Sequence, residues 1–191
     1  MPSLEWIDPV VADARRRAPD ADGLPVVLVR VDQQRLYVWE QGRVTDIYDV
    51  STAARGVGFE EGSFTTPLGL HRIAERFGEG APRGTIFRAR GNTGEIADIL
   101  TEPGARSPRD NITSRILWLD GLEPGINRGG SVDSLRRYIY IHGTDEEGRI
   151  GEPASEGCVR MRNDEVIELF PRLPVGTPVL ILDGPQVPEL G

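Results

Sequence analysis

Lysine is missing from this chain: all 22 of its basic residues are arginine. That absence removes Schiff-base chemistry, a phosphate-binding P-loop lysine and a serine–lysine dyad. Cysteine is reduced to one residue, Cys158, so no internal disulfide can form and the redox compartment stays open. Histidine occurs only at His71 and His142. A zinc site would have to gather both with Cys158, without any CxxC or HxxxH pair, and is a poor reading; no metal and no cofactor is expected. No run approaches the ~20 apolar residues of a membrane span. The N-terminal "MPSLEWIDPVVADARRR" interrupts its apolar residues with Asp8, Pro9 and Asp13 and puts its arginines after them, the reverse of an export signal. The expectation is a cytoplasmic protein, periplasmic only if a leader has been cut away, with no membrane partner. A net charge of −8 sets an acidic surface that does not suit nucleic acid. The sequence does not speak to oligomeric state.

What remains is a globular composition, with 38% hydrophobic and 27% charged residues over 191 positions, enough for one core and short for two. A short helix is predicted over residues 3–18 with Ser3 as its N-cap, followed by a "PDADGLP" linker. Strands are predicted at 25–31, 35–40 and 43–50, with a "QG" turn between the last two, and then at 69–77 and 84–90. Residues 91–134 are rich in Gly, Pro, Asn and Asp around one apolar island, "RILWL". They read as a lid or site-forming excursion carrying Gly121, Gly125, Gly129 and Gly130. "RRYIYIHG" (136–143) is the strongest strand signal and "PVLIL" (178–182) the last. "NDEVIELFPRL" (163–173) is the best helix, with Asn163 as cap and acidic residues in its first turn. The fold class expected is mostly β, an antiparallel sandwich or distorted barrel with one principal helix after the cysteine. The expected borders are an N-terminal extension at 1–24, a catalytic domain at 25–183 and a tail at 184–191.

Cys158 and His142 lie sixteen residues apart, in "SEGCV" and "YIYIHGT". A cysteine acyl-transfer enzyme needs a thiol, a base and backbone N–H donors for the oxyanion, and a glycine before the nucleophile lets a substrate approach the backbone closely. By spacing alone the pair stays open between that chemistry and a small buried thiol beside a satisfied histidine.

The segments "YIYIHGT", "IGEPASEGCVRMRNDEVIELF", "LPVGTPVLI" and "GSFTTPLGLHRI" resemble the catalytic domain of the L,D-transpeptidase (YkuD-like) family over about residues 25–183. The likeness is to its compact unexported branch, which includes cytoplasmic L,D-carboxypeptidases. The resemblance implies Cys158 as nucleophile, His142 as base and the Gly143 carbonyl as the group that orients the imidazole. It implies an oxyanion hole from the N–H groups of Gly157 and Cys158. Ser155 would hold the loop, and Arg160 would clamp a substrate carboxylate or serve a structural bond. Relatives carry histidine where this chain has Glu156, which would either tune the thiol, contact a substrate ammonium or point outward. The partners implied are peptidoglycan stem peptides or muropeptides. The reaction implied is cleavage of the diaminopimelate–D-alanine bond through an acyl-cysteine, ranked first as an L,D-carboxypeptidase in murein recycling. An L,D-transpeptidase forming cross-links and a non-catalytic murein-binding module are the alternatives.

Overall fold

The computed structural model describes residues 3–187, so the last four positions of the expected tail lie outside the described residues. Ten strands make one continuous sheet: β1 (Val26–Arg30), β2 (Arg35–Glu40), β3 (Arg43–Asp49), β4 (Gly69–Phe77), β5 (Thr85–Arg88), β6 (Gly91–Ile96), β7 (Ile112–Gly121), β8 (Tyr140–Thr144), β9 (Val159–Met161) and β10 (Pro178–Leu182). Two α-helices, α1 (Ile7–Arg17) and α2 (Asn163–Leu169), join them. The sheet order is β3-β2-β1-β10-β4-β7-β5-β6, with β8 added to β7 and β9 to β8. The mostly-β class and the helix after the cysteine hold. The sheet is mixed and open, however, because β1–β10 and β8–β9 pair in parallel. A parallel pair needs a crossover of a dozen or more residues, and the loop of residues 145–158 between β8 and β9 supplies one.

Side-chain alternation assigns the layers. Val26 and Leu28 of β1 and Leu180 and Leu182 of β10 share one face with Ile7, Val10, Val11 and Ala14 of α1. Val27, Val29, Val179 and Ile181 share the other with Val166 and Leu169 of α2. Strands buried on both faces read as unbroken apolar runs, as "VVLV" and "VLIL" do. The apolar spacing i, i+3, i+4, i+7 of α1 forms one stripe, and Asp8 at its start and Arg15, Arg16 and Arg17 at its end suit the helix dipole. Burying its valines and isoleucine is worth about 1.5–3 kcal/mol each, so this N-terminal segment is packed onto the sheet. Gln41 and Gly42 both have positive φ, as a two-residue turn between β2 and β3 requires.

Four sequence expectations change. Trp6, not Ser3, precedes α1, and no side chain caps it; the Ser3 hydroxyl accepts the Glu5 N–H instead. Asn163 is the first residue of α2 and not its cap. Its carboxamide is buried and accepts from Thr113 Oγ1 and Ser114 Oγ, both at 2.6 Å, while donating to Thr144 O at 2.8 Å and Glu147 Oε1 at 2.9 Å. It therefore ties β7, the end of β8 and α2 together. Residues 136–139 are not strand; Tyr138 turns at φ 57° before β8 begins. Residues 91–134 are not one excursion: they contain β6 and β7, and "RILWL" is the middle of β7, which pairs with β4, β5 and β8.

The β8–β9 register sets Ile141 beside Val159 and His142 beside Arg160. Ile141, Val159 and Met161 face the core. The alternate positions, Tyr140, His142, Cys158 and Arg160, fall on the opposite face by the two-residue period.

Candidate active site

That face floors a cavity of about 300 Å³ lined by Cys158, His142, Arg160, Arg137, Tyr138 and Glu156, among others. The middle of β8 and the loop that leads into β9 thus bring the lone cysteine and one histidine into the same space.

His142 is buried, and its Nδ1 lies 2.5 Å from Gly143 O. A carbonyl only accepts, so Nδ1 carries the proton and Nε2 keeps its lone pair. Burial pushes the imidazole down to about 4; the Gly143 carbonyl opposes this and Arg160 adds to it. Gly143 is required by packing: a Cβ there would sit 2.5 Å from Thr113 O and 2.8 Å from Asn163 Oδ1. Asn163 and β7 therefore hold the backbone that holds the imidazole.

The Cys158 sulfur accepts the Tyr140 N–H at 3.3 Å and donates to Tyr138 O at 3.4 Å. Its hydrogen bonds run to backbone, not to His142. Burial pushes the thiol up to about 11; the Tyr140 N–H and Arg160 work the other way, and Asp110 adds to the rise. At neutral pH the resting pair is a neutral thiol and a neutral imidazole. The nearby carboxylate that acts on the thiol is Asp110, whereas Glu156 is exposed at the cavity rim.

The loop before the cysteine is braced on both sides. Ser155 Oγ donates to Cys158 O at 2.6 Å and accepts the Gly157 N–H at 3.2 Å, and Thr66 Oγ1 donates to Gly157 O at 2.9 Å. The Gly157 N–H, one of the two expected oxyanion donors, is thus already engaged by Ser155. Gly157 has φ 131°, and a Cβ on it would meet Thr65 O at 3.1 Å. Both facts call for glycine there.

Arg160 has a side chain only 3% exposed and is paired twice, Nη1 with Glu146 Oε1 at 3.0 Å and Nη2 with Asp110 Oδ1 at 2.5 Å. Two protein carboxylates hold the guanidinium that was expected to bind a substrate carboxylate or a loop backbone. His71 lies on β4, bonded to Gly69 O at 3.0 Å and Ser134 Oγ at 2.8 Å, and does not line this cavity. From residues 91–134 only Asp110 and Ile112 reach the cavity, and none of the four glycines does. Sequence reasoning missed Asn163 as a scaffold, Asp110 and Glu146 as the partners of Arg160, and Arg137 altogether. The "RR" before "YIYIHG" was the only sign of Arg137.

The two buried histidines predict an acid-sensitive fold. Each has a folded value near 4 against about 6.5 in the open chain. As pH falls through 6.5 the unfolded chain takes up protons that the folded protein refuses, so stability declines until about pH 4. The loss is on the order of 3 kcal/mol per histidine. Glu165, raised by burial, acts in the opposite direction near the lower limit. Urea midpoints measured from pH 7.5 to 4.5 should fall steadily, and His71→Gln should roughly halve the slope; a flat profile would contradict the burial of both rings.

The YkuD family, described as the L,D-transpeptidase catalytic domain, matches residues 25–181. Two curated relatives are named "Probable L,D-transpeptidase ErfK/SrfK". The one from Salmonella typhimurium is 28% identical over 162 residues, which is 83% of this chain and 44% of the relative. The one from Escherichia coli K12 is 49% identical over 51 residues, which is 27% of this chain and 16% of the relative. Among solved structures, the L,D-transpeptidase (residues 123–326) from Xylanimonas cellulosilytica covers 86% of this chain and is covered over 63% of its own, with TM-score 0.52 and 22% identity. The chain therefore spans less than half the length of these curated relatives, and the solved structure supports the fold alone. A mixed sheet that holds a histidine on β8 and a cysteine just ahead of its parallel neighbour β9 is the architecture at hand. The chain belongs to the L,D-transpeptidase catalytic domain (YkuD) family. Among the described residues no helix is long and apolar enough to cross a membrane.

Proposed function

We propose that this protein is a cysteine acyl-transfer enzyme acting on peptidoglycan stem peptides, and that it passes the acyl group to water as an L,D-carboxypeptidase. The observation that carries the reading is the meeting of two side chains in one cavity, the Cys158 thiol and a neutral His142 with its proton on Nδ1, beside the constrained Gly157. The thiol sulfur adds to the carbonyl of the third stem residue, diaminopimelate, while its proton passes to His142 Nε2. The oxyanion is held by the Cys158 N–H. Collapse breaks the C–N bond, the imidazolium returns its proton to the leaving D-alanine amine, and a thioester remains. Water then attacks with His142 as base, releasing a tripeptide and the free thiol.

Water is favoured over a cationic acceptor by the second cavity, about 390 Å³, which adjoins the first at Ser155, Glu156 and Arg160. In its lining Arg55, Arg106, Arg149 and Arg160 outnumber Asp110, Glu146 and Glu156 by one, and an ammonium group approaching there meets a slight excess of like charge. A role in trimming recycled muropeptides, inside the cell, fits this reading.

The second reading, transfer to an amine as a transpeptidase, is favoured by one residue. Glu156 is exposed where both cavities meet and, among the described residues, takes part in no ion pair, so it could receive an ammonium. Incubation with a tetrapeptide ending in D-alanine, with and without D-methionine, separates the two by product mass. Tripeptide with little exchange product is expected. Dominant exchange, or cross-linked dimers, would move the assignment to transpeptidation while leaving the acyl-cysteine chemistry in place.

A further inference from the structure

Arg137 lies in the turn before β8, where its N–H is bonded to Asp133 O at 2.9 Å. Its guanidinium reaches Thr65 and the loop at Gly157. Nη2 donates to Thr65 O at 2.7 Å, and the same nitrogen is 3.9 Å from where a Cβ on Gly157 would stand. The cation therefore sits against the loop that carries the nucleophile, and it lines the cavity containing Cys158. Its other terminal nitrogen, Nη1, is buried and has no hydrogen-bond partner. Among the described residues no carboxylate lies within ion-pair distance of this guanidinium; Glu60 and Glu61 act on it only at longer range. A buried guanidinium nitrogen without an acceptor is costly, and such groups call for an explanation. The neighbouring cation gives the contrast: both terminal nitrogens of Arg160 are occupied by Asp110 and Glu146.

We propose that Arg137 is the carboxylate receptor of the donor site, with Nη2 fixed on Thr65 O and Nη1 reserved for a carboxylate of the bound peptide. This rests on the acyl-transfer reading above. A stem peptide offers two such groups near the scissile bond, the terminal carboxylate of the leaving residue and the side-chain carboxylate of the third residue. Either would satisfy the orphan nitrogen, and a charge-assisted bond made in this desolvated place would be strong. Arg137 is thereby a substrate-binding residue. It holds the donor where the thiol can reach the carbonyl and takes no part in proton transfer.

Two measurements test this. The first is the rate of alkylation of Cys158 by iodoacetate, an anion, divided by the rate with neutral iodoacetamide. In Arg137→Gln this ratio should fall by about tenfold, since a charge-assisted contact is lost, while the iodoacetamide rate changes far less. An unchanged ratio, or an equal fall with both reagents, overturns the receptor. The second compares KM for three tetrapeptides: the free acid, one amidated at its C-terminus, and one amidated on the third residue's side chain. For the wild type one amidation should raise KM by about tenfold with kcat little altered, as loss of uniform binding does; in Arg137→Gln neither should matter. The sensitive donor identifies the carboxylate. A wild type indifferent to both amidations overturns the proposal. Should Arg137→Gln fail to fold, Arg137→Lys replaces it, keeping a donor for Thr65 O but losing the fork. It should show a raised KM for the free acid and for the amide that keeps the recognised carboxylate, and wild-type behaviour in both measurements overturns the proposal. If no peptide is cleaved yet the alkylation ratio collapses in the variant, the acyl-transfer reading fails and the anion receptor stands.

Discussion

Cys158→Ala should fold like the parent protein and release no D-alanine at all. Alanine keeps the Cβ of a residue that packs only at the edge of the Phe87, Ile116 and Tyr140 cluster, whereas the proposed acyl-enzyme cannot form without the sulfur. His142→Gln should keep much of the fold and lower kcat by about 10²–10⁴, the usual range for a lost general base. The stronger test is the pH dependence of alkylation in the parent. The thiol is pushed up to about 11 and the imidazole down to about 4, so neither titrates between pH 6 and 9. The rate of reaction with iodoacetamide should climb about tenfold per pH unit through that range, following the thiolate fraction. A plateau with a midpoint near 7 would mean a preformed thiolate–imidazolium pair, and the proton would then move before attack rather than with it. Failure to release D-alanine from any tetrapeptide, in a protein that still binds stem peptides, would instead favour a murein-binding module.

The legible parts of this fold are those governed by side-chain period alone. Val26 to Arg30 and Pro178 to Leu182 read as strands because both faces are buried, and the "QG" turn reads because two successive positive φ angles admit few residues. The cysteine and the histidine were legible through a motif, and the structure puts them in one cavity. What was hidden depends on partners far away in sequence. Asn163 has the composition of a helix cap, yet Thr113 and Ser114, fifty and forty-nine residues earlier, draw its carboxamide into the core. Arg160 resembled a substrate clamp because its two partners, Asp110 and Glu146, come from a turn and a loop with no pattern linking them to "CVRM". In residues 91–134 the strand β7 is hidden because glycines crowd both its flanks and a register shift between Thr113 and Ile116 breaks the regular alternation. The parallel pairing of β8 and β9 could not be inferred from local pattern, since it depends on how the loop of residues 145–158 crosses.

Arg160→Met should cost the protein about 3 kcal/mol, the usual penalty for breaking one side of a buried ion pair. Asp110 can rehydrate, because its side chain is 40% exposed, but Glu146 at 7% would be left as a buried charge without its cation. Most of the loss should therefore come from Glu146. Adding Glu146→Gln to Arg160→Met should restore part of it, which a urea titration of the two variants would reveal. The same change has a predictable sign at the active site. Arg160 lowers both the Cys158 thiol and the His142 imidazole, so its removal should raise both. The thiol would ionise even less at neutral pH, and iodoacetamide would react more slowly at any fixed pH below about 11. A single variant thus separates two roles. Lost stability with slower alkylation identifies a structural cation that also tunes the Cys158 thiol. Unchanged stability with a raised KM would mean that Asp110 and Glu146 release Arg160 to the substrate, and the clamp expected from the sequence would be restored.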